Sequence, residues 1–182
     1  MAGRKILIAV DLQKDFIDGS LAVPGAAAVI PEIKKIMPGF DLVYFTLDWH
    51  PLNHCSFKEQ GGPWPPHCVQ HTAGASLPDS VLDGLEAGKL RFVLKGFRQD
   101  KEEYGAFGGV DAASQDLFLP GDEVTVCGIA AEYCVRETLI NVAALAAKVG
   151  FKLSVYLPGT ASFGSYGTLL ETMREYGVTE YR

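Results

Sequence analysis

The chain has 182 residues, 48% hydrophobic and 21% charged, which is the balance of a soluble globular protein long enough to bury a sizeable core. Its formal net charge of -6 argues against nucleic acid and anionic membrane surfaces, since both attract basic faces. No apolar run reaches the roughly 20 residues of a membrane-spanning helix; Leu139 to Val149 is interrupted by Asn141 and Lys148.

Short apolar runs with β-branched or aromatic content read as buried strands at Ile6–Val10, Leu42–Leu47, Arg91–Leu94, Glu123–Cys127, Leu153–Leu157 and Val178–Tyr181. Helical spacing covers Ala26–Met37, Tyr133–Val149 and Tyr166–Tyr176; the last two end at Gly150 and Gly177, as helices with a C-terminal glycine do. Strands alternating with helices predict one α/β/α domain over residues 1–182, with a mainly parallel six-stranded sheet between helical layers. Two stretches, Asp48 to about Pro78 and Gly96 to Gly109, are too long and irregular for connectors and read as functional loops. Ile6–Val10 is too short for a signal-peptide core and runs into Asp11, so the expected address is cytoplasmic. Thiols stay reduced there. Cys55, Cys68, Cys127 and Cys134 are therefore expected to be chemistry, ligands or core filler rather than disulfides.

Open α/β sheets bind ligands beyond the carboxyl ends of their strands. The residues following the predicted strands are Asp11, then Asp48 and His50, then Lys95, then the turn from Gly128 to Cys134. Asp11 ends an apolar strand and suits a partly desolvated general base, against the simpler reading of a loop cap. Lys95 would hold that carboxylate ionised, against a solvated strand-end lysine. Cys134, at the start of the long helix, is expected to gain thiolate character from the helix dipole and free N–H groups, which could also hold an oxyanion. Cys127 lies mid-strand and reads as core. All four histidines, His50, His54, His67 and His71, fall between positions 50 and 71. Asp48 and His50 are two apart and can point the same way on an extended segment, and Pro65-Pro66 stiffens the approach to His67. Such a set suits zinc, iron or manganese with open positions; surface histidines or a closed structural zinc site are the alternatives.

These segments resemble a known family. Asp11-x-Gln13-x-Asp15-Phe16, Asp48-Trp49-His50, Trp64-Pro65-Pro66-His67-Cys68-Val69, Lys95-Gly96 and Gly128-Ile129-Ala130-Ala131-Glu132-Tyr133-Cys134-Val135-Arg136 look like the signatures of nicotinamidases (pyrazinamidases) in the isochorismatase-like hydrolase superfamily, in family order. The resemblance implies a Rossmann-like fold and an enzyme of NAD salvage that hydrolyses nicotinamide to nicotinic acid and ammonia through a thioester. It implies Cys134 as nucleophile, Asp11 as base and acid, and Lys95 as their electrostatic partner. It further implies Asp48, His50 and His67 on one divalent metal, zinc first, with iron or manganese as alternatives. The backbone N–H groups of Ala130 and Cys134 would form the oxyanion hole beside a cis Ile129–Ala130 peptide. Phe16, Trp64 and Tyr104 would line the ring pocket, and His54 and Ser56 stand where relatives vary in a further metal contact. The partner expected is a small amide, with neither nucleic acid nor membrane; a homo-oligomer stays open. Where many relatives carry Asp-Ala-Thr, this chain has Pro158-Gly159-Thr160-Ala161, which bears on substrate fit more than on reaction class. A related amidase or carbamoyl hydrolase, a metal-binding protein without turnover, and a redox-sensing binding module built on Cys134 are the alternatives.

Overall fold

The computed structural model describes residues 3–110 and 117–182. Strand β1 (Lys5–Val10) is followed by a short helix α1 (Lys14–Ile17) and by α2 (Ala26–Ile36). Then come β2 (Leu42–Asp48), the short α3 (Asp79–Leu82), β3 (Leu90–Lys95) and β4 (Glu123–Gly128). One π turn (Ala131–Val135) leads into α4 (Arg136–Val149), and β5 (Lys152–Thr160), α5 (Gly167–Glu175) and β6 (Thr179–Glu180) complete the chain.

The six strands are all parallel, in the order β3-β2-β1-β4-β5-β6. β1 is central and covered on both faces, which is why it reads as an unbroken apolar run rather than an alternating one. Leu7, Ala9, Val43, Phe45 and Cys127 face α2, packing on Val29, Ile30 and Ile33. Ile6, Ile8, Val10, Val124 and Val126 face the other way, onto Leu139, Val142 and Leu145 of α4 and Leu169 and Met173 of α5. The chain moves outward from β1 to β3 on one side and from β4 to β6 on the other, so the order reverses between β1 and β4. Crevices at such reversals bind ligands.

Beyond single-residue differences at element ends, three features differ from the sequence reading. β5 continues past Leu157 to Thr160, because the register with β4 shifts between Val126↔Val155 and Gly128↔Thr160. The extra residues of β5 bulge out, and Pro158 and Gly159 sit there, where no regular ladder bond is required of them. The long helix does not start at Tyr133; α4 begins at Arg136, after the π turn. The Asp48–Pro78 stretch is not structureless: isolated bridges pair His50 with Val69 and Phe57 with Trp64.

Candidate active site

Four strand ends supply the central cluster. Asp11 follows β1 with φ of 50°, in the left-handed region. Its Oδ1 accepts a hydrogen bond from Thr46 Oγ1 at 2.6 Å. Asp48 ends β2 and Lys95 ends β3, and the two are register partners. The Lys95 ammonium lies 2.7 Å from Asp11 Oδ2, donates to Asp48 Oδ1, and stands 3.5 Å from Cys134 Sγ. Lys95 and Asp11 Oδ2 form a buried ion pair. None of Asp11, Asp48, Lys95 and Cys134 is more than 5% exposed. The sequence reading made Lys95 the partner of Asp11 and Cys134; the fold adds Asp48, so the ammonium stands between two carboxylates and the sulfur.

Burial is the largest influence on each of these groups, and their net directions differ. It raises the Asp11 carboxyl above its usual range despite Lys95. It would raise Asp48 as well, but Lys95 and His50 overcome it and hold that carboxyl well below the usual range. For Lys95, burial opposes the charge, and Asp11 and Asp48 outweigh it, so the ammonium stays protonated well above its ordinary value. Burial pushes the Cys134 thiol well up; Lys95 offsets part of this, while Asp11 and Asp48 add to it. These influences oppose the thiolate character expected of a helix start. Cys134 lies inside the π turn, two residues before α4, and two carboxylates face it.

Beside this cluster, ligand atoms of Asp48, His50 and His67 lie within 4.8 Å of one another. The two rings are set for metal binding by their backbone partners. His50 Nδ1 bonds the Gly96 carbonyl and His67 Nδ1 the Pro65 carbonyl, each at 2.8 Å. In a neutral ring, donating Nδ1–H there leaves Nε2 its lone pair; the two Nε2 atoms face Asp48 Oδ2 at 3.4 and 4.0 Å, and Asp48 outweighs burial to raise His50 above its usual value. Burial pushes His67 down to about 4, so it is neutral and ligand-ready at neutral pH. The donor set fits a divalent ion with open positions. His54 stacks on His50 at 4.1 Å behind the three donors; its Nδ1 bonds Ser56 Oγ at 2.7 Å and its Nε2 the Lys101 carbonyl at 3.1 Å. His71 is exposed and touches Trp49 edge-on.

A narrow cleft reaches down to Cys134 and Asp48. Phe16, Trp64 and Tyr104 all line it, and Trp64 Nε1 donates to the Tyr104 hydroxyl at 2.9 Å. Its floor is the turn after β4, where the Ile129–Ala130 peptide is cis and Ile129 N–H is bound to Val10 O at 2.9 Å. Gly128, with φ of 121°, packs so closely on β1 that a Cβ would meet Val10 O at 2.2 Å. Only glycine allows that approach.

The isochorismatase domain pattern matches residues 5–156. This chain belongs to the isochorismatase family. A nicotinamidase of Saccharomyces cerevisiae is 32% identical over 207 residues, covering 94% of each chain. The crystal structure of a Pyrococcus horikoshii pyrazinamidase in complex with zinc is 35% identical, with a TM-score of 0.81 over 98% of this chain and 99% of that one. That of an L. infantum relative in complex with nicotinate is 33% identical, with a TM-score of 0.81 over 100% and 96%.

Within the isochorismatase fold, several supporting residues were not read from the sequence. Tyr133, Phe163 and Leu21 also wall the cleft, and Glu102 stands at its rim near His50 and His54. Gln13 is fully buried: its amide nitrogen donates to Asp48 O at 2.7 Å and Ala75 O at 2.9 Å, and its oxygen accepts from Asp48 N at 2.8 Å. Asp15 Oδ2 accepts from Cys68 N at 2.7 Å, next to His67. Alternate polar residues at 11, 13 and 15, just beyond an apolar strand, were the available signal for both.

Proposed function

We propose that this chain is a nicotinamidase, one cytoplasmic hydrolase domain over residues 1–182 that converts nicotinamide to nicotinic acid and ammonia through a thioester on Cys134. The observation that carries the reading is a shared residue. Asp48 belongs both to the Asp11–Lys95–Cys134 cluster and to the His50–His67 pair, so an acyl-transfer centre and a metal centre abut on one carboxylate. The nicotinamidase and pyrazinamidase relatives support the same reading, and the nicotinate complex supports a pyridine ring in the cleft.

Asp11, its proton affinity raised by burial, takes the Cys134 proton as the sulfur attacks the amide carbon. Lys95 sits 3.5 Å from the sulfur and offsets the charge gathering there. Backbone N–H groups of Ala130 and Cys134 receive the oxyanion. The C–N bond breaks, and ammonia leaves with the proton held by Asp11. Water then adds to the thioester, giving its proton to Asp11; the thiolate departs, takes that proton back, and nicotinic acid is released. A divalent ion on Asp48, His50 and His67, zinc first with iron or manganese as alternatives, supplies when bound an anchor for a ring nitrogen and some electron withdrawal. The aromatic walls orient the ring so that its carboxamide lies over Cys134.

Ammonia release from nicotinamide by the purified protein, after chelation and after adding back zinc, manganese or iron, tests this. Turnover is expected to vanish on chelation and to return with metal. Asp48→Ala, His50→Ala and His67→Ala should each lower metal content and raise KM together, while His71→Ala does neither. Faster turnover of a carbamoyl compound than of nicotinamide would overturn the substrate, and full metal content in all three variants would overturn the ligands.

A further inference from the structure

The segment after β5 carries a residue that the reaction scheme does not use. Phe163 stands in the cleft wall, nearly parallel to Trp64 at 5.9 Å and 18°, and edge-on to Tyr133 at 6.1 Å and 79°. It lies just beyond the stretch where this chain departs from many relatives, Pro158-Gly159-Thr160-Ala161. The segment is fastened on both sides of Phe163 to the turn that holds Cys134. Before it, Ala161 N–H donates to Gly128 O at 3.0 Å, and Ala161 O accepts from Ala131 N–H at 2.8 Å. On either side of it, Ser162 Oγ and Gly164 N–H both donate to one oxygen of Glu132, Oε1, at 3.0 Å. The Tyr166 hydroxyl closes the loop onto Thr160 O at 2.6 Å.

We infer that Glu132 is a positioning residue that straps Ala161–Gly164 to the nucleophile turn, and that Phe163, held by this strap, sets which ring the cleft accepts. The inference rests on the cleft's being the ring pocket of the proposed function. Glu132 is unevenly satisfied: Oε2 is buried and has no hydrogen-bond partner among the described residues, while Oε1 carries both strap bonds. A buried oxygen without a partner works against folding, so the side chain's contribution lies in what Oε1 holds. Phe163 has an anchored neighbour on each side, Ser162 and Gly164; both anchors reach Glu132, and Gly164 N–H is shared with Ser162 Oγ at 3.0 Å. Releasing them frees the ring from Trp64 and widens the cleft on that side. The ligand class is therefore a planar heteroaromatic amide with no substituent on the edge that meets Phe163.

Wild-type turnover of nicotinamide is measured first, and its absence counts against the proposed function alone; the strap is then read from calorimetric binding of nicotinate to the same variants. Steady-state kinetics follow for Glu132→Ala, Glu132→Gln and Phe163→Ala on nicotinamide and a set of ring-methylated nicotinamides. Losing a stacked aromatic wall should raise KM about tenfold in Glu132→Ala and Phe163→Ala, with kcat changed less than about threefold. For at least one methylated ring, kcat/KM relative to nicotinamide should rise about tenfold, the scale on which a pocket discriminates one methyl group. Glu132→Gln keeps an acceptor at Oε1 and should bring both quantities back toward wild type. A strap that only stabilises the fold would lower the melting temperature and leave KM and the methyl preference unmoved. That result overturns the inference, as does a Gln variant no better than Ala. If Glu132→Ala does not fold, Phe163→Ala and Ser162→Ala, which strand no buried charge, decide the matter by the same KM and methyl-preference readouts.

Discussion

Replacing Lys95 with Met removes a cation and keeps most of its volume. The ammonium is 3% exposed and faces two carboxylates, with Asp11 Oδ2 at 2.7 Å. At an effective dielectric constant of about 20, a contact at that distance is worth about 6 kcal/mol in gross attraction. The cost of burying the ammonium cancels part of it, and breaking a buried pair leaves a net loss of about 3–5 kcal/mol. For a chain of this size that lowers the melting temperature by about 6–20 °C. The deficit depends on pH. With Lys95 gone, burial and Asp48 act on Asp11 against only the Thr46 hydroxyl, and its folded pKa rises further above its unfolded value. An acid with a raised folded pKa favours the fold while protonated and opposes it once ionised, so the deficit grows as pH rises from about 4. Urea unfolding of chelator-treated wild type and Lys95→Met at pH 5 and pH 8 reads this directly. The loss should be larger at pH 8, and metal should reduce it by neutralising Asp48. The acidic limb of the pH–rate profile should also move up. A loss below about 1 kcal/mol, equal at both pH values, would refute the reasoning and leave Lys95 a passive strand-end lysine.

Cys134→Ala should abolish turnover and Cys127→Ala should spare it, because Cys127 is buried mid-strand against Ile8 O; its cost should be on the order of 1 kcal/mol in urea unfolding. Gly128→Ala should lose at least about 3 kcal/mol, or fail to fold, since the added Cβ would stand 2.2 Å from Val10 O on a backbone with φ of 121°; a stable, active Gly128→Ala protein would show that the two strands are not so tightly seated.

The sheet and the positions of Asp11, Asp48, His50 and Lys95 were legible because each follows an apolar run, and parallel strands align such ends on one edge. What stayed hidden depends on register or on detail below the hydrophobic period. That Asp48 and Lys95 are cross-strand partners is a fact of β2–β3 register. The apolar spacing from Tyr133 to Val149 is the same whether its first turn is π or α, so the place of Cys134 within a π turn left no trace. The end of β5 was read at Leu157 because Pro158 signals a stop, and the bulge that carries the strand past it comes from pairing with β4. Tyr133 and Phe163 look in sequence like any core aromatics. Gln13 reads as a polar loop residue until Asp48 and Ala75 are seen to close around it.

The parallel sheet also sets when the centre can exist during folding. Asp11, Asp48, Lys95 and Cys134 sit far apart in the chain, and each reaches the site only as the end of, or the turn after, a different strand. α2, α4 and α5 can form from local contacts, whereas Asp48 and Lys95 meet only when β2 and β3 pair, and all four residues come together only once β1, β2, β3 and β4 are in register. Such non-local pairing is the slow part of folding. Regained activity in a refolding experiment therefore follows sheet closure, and helix signal recovered ahead of it reports a chain that cannot yet hold substrate.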